Sequence, residues 1–140
     1  MSSQTNTAVI RRLYEEVFVQ WKLDVLDELV SPDFVGHEMP PGTPRGPEGF
    51  KQFYGSLRSA FPDITYQVDD IVAERDKVVV RWTWRCTHTG EFLGVPATGK
   101  HATVTGIAIY RVANGKCAER WVELNLLGLL QQLGATPVTS

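Results

Sequence analysis

Val78-Val79-Val80-Arg81-Trp82-Thr83-Trp84-Arg85-Cys86-Thr87 is the stretch that decides the fold. Val78, Val80, Trp82, Trp84 and Cys86 fall on one side of a period of two. Arg81, Thr83, Arg85 and Thr87 fall on the other. Strict alternation with aromatic and β-branched residues is the signature of a half-buried strand. Before it, Ile64, Tyr66, Val68 and Val72 alternate with Thr65, Gln67 and Asp69, and Glu74-Arg75-Asp76-Lys77 makes the turn. After a loop over Gly90 to Gly99, a third strand runs over roughly His101 to Val112. Asn114-Gly115 then forms a two-residue hairpin turn, since both positions tolerate positive φ. A fourth strand runs from Cys117 to about Asn125. Hairpin connections make these four strands an antiparallel sheet.

Upstream the period changes. Ile10, Leu13, Tyr14, Val17, Phe18 and Trp21 recur at three- and four-residue steps, one apolar stripe on a helix capped by Asn6 or Thr7. A short second helix spans about Asp24 to Val30 and stops at Ser31-Pro32, because a residue before proline avoids helical geometry. Phe34 to Pro47 reads as a loop rich in proline and glycine. A third helix opens at Pro47, buries Phe50, Phe53, Tyr54, Leu57 and Phe61, and ends at Pro62. Leu126, Leu129, Leu130 and Leu133 mark a short C-terminal helix. The order α-α-α-β-β-β-β-α is that of an α+β domain. A curved sheet wrapped around the N-terminal helices buries both patterns and leaves one open end for a small-molecule pocket.

Composition narrows the function. The chain has 140 residues, enough for one domain over 1–140, with 43 % hydrophobic residues and a net charge of -2. That balance argues against a nucleic-acid backbone as partner. No apolar run reaches a membrane span and the N-terminus lacks the pattern of a signal peptide, so a cytoplasmic protein is expected. Cys86 and Cys117 have no CxxC spacing and read as reduced, and Cys86 reads as an inert core thiol. The three histidines lack metal-ligand spacing, so no metal is expected. Phosphate-loop and dinucleotide fingerprints are missing too.

Four places carry candidate chemistry. His88 closes the apolar face of the Val78–Cys86 strand; it is either an acid or base at the rim of a cavity or a partly buried histidine donating to a backbone carbonyl. His37 and Glu38 sit in the loop after Phe34, over the pocket mouth or in solvent. His101 opens a strand and reads as exposed. Glu119, Trp121, Glu123 and Asn125 share one face of the last strand, with Arg120, Val122 and Leu124 on the other. The first set lines either a pocket or a charged outer surface.

The stretch THTGEFLGVPATGK (87–100), the strand ending Tyr110-Arg111, the turn Asn114-Gly115-Lys116, the Glu119-Arg120-Trp121 step and the terminal LLGLLQQLG resemble the SnoaL-like polyketide cyclase or ester cyclase family. The resemblance implies the nuclear transport factor 2-like fold, an α+β cone. It implies a cofactor-free enzyme that closes a ring by intramolecular aldol addition, or a related isomerisation, on a small apolar polyketide-like substrate. It also implies a homodimer built on the outer sheet face, including Thr103, Thr105, Ile107 and Ile109. The family's catalytic aspartate lies four residues after the tryptophan of the last strand, where this chain has Asn125. An amide can donate to an oxyanion but cannot act as a base. The expected catalytic residues are therefore His88, His37 and Asn125, with Tyr14, Phe53, Trp82, Trp121 and Glu123 against substrate. The alternatives are epoxide opening or hydroxylation on the same scaffold, or a non-catalytic binding or dimerisation module.

Overall fold

The structure is a computed structural model and describes residues 3–134. Helix α1 spans Ser3–Arg12 and runs on as one wide π-helical segment, Leu13–Val19. A single 3-10 turn at Leu23–Val25 leads into α2, Leu26–Leu29. Strand β1 is Val30–Gly36, α3 is Pro47–Ala60, and β2 to β5 are Thr65–Glu74, Lys77–Thr87, His101–Ala113 and Lys116–Leu124. Helix α4, Leu126–Gln132, follows. The strands lie in the order β1-β5-β4-β3-β2.

The four expected strands are present and pair antiparallel. A fifth, β1, lies where the sequence pattern predicts the end of a helix and the start of a loop. It pairs parallel to β5, with Val35 opposite Glu119 and Gly36 opposite Arg120. Pro32 is tolerated there because an edge strand leaves one side of its backbone unpaired. The register also shifts between Val30 and Val35, which erases the alternation that betrays a strand. The same device changes β2. A bulge between Val68 and Asp70 reverses the inward side, so Ile71 and Ala73 pack inward and Val72 is exposed. Asn6 does not cap α1, which already begins at Ser3. It lies buried and donates from Nδ2 to the Arg75 carbonyl at 3.0 Å, tying α1 to the β2–β3 turn.

The core lies between the concave sheet face and the helices α1 and α3. Val78, Val80, Trp82, Trp84 and Cys86 face it, as their alternation predicts, and every one is buried. Trp82 and Trp84 stack at 4.6 Å. This needs Gly106, the β4 partner of Trp82, because a Cβ there would come within 2.2 Å of the indole. On β4 the even residues Ala102 to Val112 face inward and Thr103, Thr105, Ile107 and Ile109 face outward. Since Ile107, Ile109 and Arg111 pair with Glu123, Trp121 and Glu119, the outer face of β5 carries those three residues. Arg120, Val122 and Leu124 therefore turn toward the core. The expectation of a pocket wall built from Trp121 and Glu123 is corrected here: of the two faces of β5, the one with two aliphatic residues is the one that packs.

Burial pushes the Cys86 thiol up to about 11 and the Cys117 thiol up to about 12. Both stay protonated at neutral pH. No helix among the described residues is long and apolar enough to cross a membrane.

Candidate active site

The inward residues of β5 bring one charge into an apolar space. Arg120 is 0 % exposed. A buried guanidinium is tolerated only when its donors are used. Its Nε donates to Glu38 Oε2 at 3.0 Å, its second terminal nitrogen binds the same oxygen, and Nη1 donates to the Tyr54 hydroxyl at 2.9 Å. Its charge also lies over aromatic rings, 4.7 Å from the centre of Phe50 and 5.2 Å from that of Tyr54. Burial works against this charge, but the neighbouring Tyr54, Glu38 and Tyr110 outweigh it, so the guanidinium stays protonated.

Glu38 reaches Arg120 because of how β1 ends. The His37 N–H donates to the Arg120 carbonyl at 2.9 Å, extending the β1–β5 ladder by one residue, and the chain then turns, with Met39 N–H donating to the Gly36 carbonyl at 3.1 Å. Alternation sends His37 outward and Glu38 inward. Gly36 leaves room for this turn, since a Cβ there would come within 3.1 Å of Glu38 Oε2.

Beside this ion pair lies a small hollow of about 30 Å³, room for one or two waters. Its walls include Glu38, Phe53, Tyr66, Trp82, Trp84 and Tyr110. The Tyr14 and Tyr110 hydroxyls bond each other at 2.9 Å. Three residues of this wall each carry a buried polar atom with no protein partner among the described residues: Glu38 Oε1, Tyr66 Oη and Trp84 Nε1. One is an acceptor on a carboxylate and the other two carry protons to donate. Burial, first, pushes the Tyr14, Tyr66 and Tyr110 hydroxyls well above their usual range, so they do not ionise at neutral pH.

Outside the hollow, a groove of about 350 Å³ runs between α3, the Pro40–Thr43 turn and the loop over Glu91–Leu93. Phe53 lines both spaces.

The expected site residues divide between inside and outside. Tyr14, Phe53 and Trp82 line the hollow. His88 is fully buried but stands apart from that wall, against Phe61 at 5.6 Å. Its Nδ1 accepts from the Thr98 N–H at 3.3 Å and lies 3.0 Å from the Thr98 hydroxyl, while its backbone bonds Gly99 and Lys100. It holds the loop before β4, but its ring accepts from a backbone N–H and does not donate to a backbone carbonyl, and its Nε2 is buried with no partner among the described residues, so neither sequence reading describes it. His37 is on the outer surface, stacked on Trp121 at 5.0 Å. Its Nε2 lies 2.6 Å from Glu119 Oε2, and Glu119 also accepts from Arg111 Nε at 2.9 Å. Arg111, then His37, hold the Glu119 carboxyl below the usual carboxylate range. Asn125 is exposed and caps α4, its Oδ1 accepting from the Gly128 N–H at 2.9 Å. Glu123 and Trp121 share that outer face. So His37, Asn125, Trp121 and Glu123 do not converge with Trp82, and the expectation that they would is corrected. Sequence reasoning passed over Arg120, although a lone arginine on the apolar face of a strand signals a buried charge needing a partner. Among the described residues no three His, Cys, Asp or Glu side chains are grouped to hold a metal ion.

A cone of helix and sheet closed around an aromatic hollow defines a scaffold of the small-molecule cyclase type. The chain belongs to the SnoaL-like polyketide cyclase family, whose profile matches residues 8–133. Among solved structures it is similar to TsrD from Streptomyces laurentii, with 30 % identity, 96 % of this chain and 98 % of that chain covered, and a TM-score of 0.86. It is 39 % identical to IdmH from Streptomyces antibioticus, described as a proposed polyketide cyclase, over 92 % of this chain and 98 % of that one, with a TM-score of 0.79. AclR from Streptomyces galilaeus, described as a proposed hydroxylase, is 29 % identical over 99 % of this chain and 87 % of that one, with a TM-score of 0.81. A comparison with curated proteins finds no match.

Proposed function

We propose that the protein catalyses intramolecular aldol-type ring closure, or the related proton-transfer isomerisation, of an apolar carbonyl compound without a cofactor, using Glu38 as the base. Glu38 Oε1 takes a proton from the carbon next to a carbonyl. The electron pair of that C–H bond moves into the enolate, whose oxygen accepts hydrogen bonds from Tyr66 and Trp84. The enolate carbon then bonds to a second carbonyl carbon of the same molecule, and that carbonyl oxygen takes the proton back from Glu38. Substrate and product are isomers, so no oxidant or co-reactant is consumed. The observation that carries this reading is that one residue with an unpaired carboxylate oxygen and two with unpaired donors line a single aromatic hollow. Such fixed donors favour the charge that develops on the oxygen. Arg120 holds Glu38 in place. This reading moves the base from the histidines and the position of Asn125 to Glu38.

The test uses an aryl 1,5-diketone, 1-phenylhexane-1,5-dione, in deuterated buffer. Deuterium enters the methyl group next to the ketone, and the cyclic ketol forms, faster than in buffer alone. Binding of the diketone with no exchange and no ring closure instead supports a ligand-binding module.

A homodimer through the convex face is part of the same proposal. Ile107 and Ile109 stand 47 % and 37 % exposed there beside Trp121, an apolar strip unusual for a free sheet face. Ile107→Glu converts the dimer to monomer in size-exclusion chromatography with light scattering. A wild-type protein that is already monomeric at micromolar concentration overturns it.

A further inference from the structure

The hollow and the groove differ in size by about an order of magnitude, and their walls share one residue. Phe53 projects from the middle of α3 and lines both. On the inner side its ring packs edge-on to Tyr54 at 5.3 Å and lies 6.0 Å from the Arg120 guanidinium. On the outer side it joins Leu57, Phe92 and Leu93 in an apolar groove. Space for one or two waters cannot hold a molecule that has two carbonyls and the carbon chain between them. The groove can hold such a chain, but the three unpaired polar atoms are not on its walls.

We propose that Phe53 is the gate and specificity residue of the site, swinging about its side-chain torsions to join groove and hollow, and that the substrate is an elongated, uncharged molecule. Its carbonyl head enters past Phe53 to Glu38, Tyr66 and Trp84. Its apolar tail stays in the groove. The tail carries no negative charge, because Glu91 is the one ionisable residue on the groove wall among the described residues and no lysine or arginine faces an anion there. A phenylalanine turns by rotation about two bonds without moving its helix, and Phe53 is half-buried, with free space on the groove side to receive the ring. This inference rests on the acid–base reading of the hollow, which supplies the reason for a carbonyl head.

The experiment reads binding, independent of turnover. Acetophenone, 4-butylacetophenone and 4-octylacetophenone are titrated into the whole protein while the indole N–H signals are followed by NMR, with Trp84 assigned through Trp84→Phe. Each added methylene tightens binding by roughly two- to fourfold until the groove is filled, and the Trp84 signal moves. Phe53→Ala speeds association at least several-fold. Phe53→Trp lets 4-octylacetophenone bind, seen at the Phe92 and Leu93 backbone signals, but the Trp84 signal no longer moves. Phe53→Leu, which keeps more of the buried volume, is measured beside Phe53→Ala against loss of folding. Equal movement of Trp84 in wild type, Phe53→Ala and Phe53→Trp overturns the gate and leaves the acid–base reading standing. A Trp84 signal unmoved in both wild type and Phe53→Ala overturns both. Affinity independent of tail length overturns the elongated substrate.

Discussion

Glu38→Gln lowers the rate of α-proton exchange by about a hundred- to ten-thousandfold, the usual contribution of a positioned general base. Glutamine keeps the shape of the side chain and its carbonyl oxygen still accepts from Arg120, so the contact is kept although the buried guanidinium loses its counter-charge. The glutamine loses the ability to take a proton. The fall therefore appears in kcat with little change in KM, the pattern of an interaction that matters only as the bond breaks. Glu38→Asp, with one methylene fewer, draws the carboxylate back toward β1 and recovers only part of the rate. His37→Ala is the contrast. Its ring is stacked on Trp121 outside the cone, so the exchange rate stays within about twofold, a difference far below the effect of a lost base. NMR of substrate deuteration measures all three. A Glu38→Gln protein exchanging at the wild-type rate removes Glu38 from the chemistry.

How much of this was legible in the sequence follows from which patterns have a period. The stretch Val78 to Thr87 alternates without interruption, and its inward face is the inward face of the molecule. The α3 stripe held for the same reason: Phe50, Tyr54 and Leu57 are buried at helical steps. Tyr14, Phe53 and Trp82 reach the hollow because apolar stripes face the core wherever the core is. The failures are places where the backbone breaks period. The β2 bulge reverses Ile71 and Val72, and the irregular, proline-bearing β1 hides as loop. The loss of β1 mattered most. With Phe34 to Pro47 read as one loop, nothing distinguishes His37 from Glu38. Once Gly36 pairs with Arg120, the two neighbours must point to opposite sides of the sheet. The choice of face on β5 was likewise open. Two glutamates and a tryptophan look like a site, but Arg120 among aliphatic residues is the more informative side, since a charge among them demands a specific partner. Asn125, which ends the last strand, turns out to cap a helix.

Arg120→Met is the substitution expected to cost the fold most. Methionine fills much of the arginine volume and suits the rings of Phe50 and Tyr54, so a cavity is not the main penalty. The penalty is Glu38, whose carboxylate stays largely shielded from water, with its side chain 14 % exposed, and has lost its counter-charge. Removing one partner of a buried ion pair costs about 3–5 kcal/mol, which for a domain near this size lowers the melting temperature by roughly 10–15 °C. Tyr54 also loses the donor to its hydroxyl oxygen. The double variant Glu38→Gln with Arg120→Met removes the stranded charge and regains part of that loss, so the two changes are not additive, with a coupling of about 1–3 kcal/mol. Thermal and urea unfolding of the four proteins measure the cycle. Additive losses would mean that the pair is not coupled in solution, and Glu38 would then not be held against Arg120 for the proton transfer that depends on it.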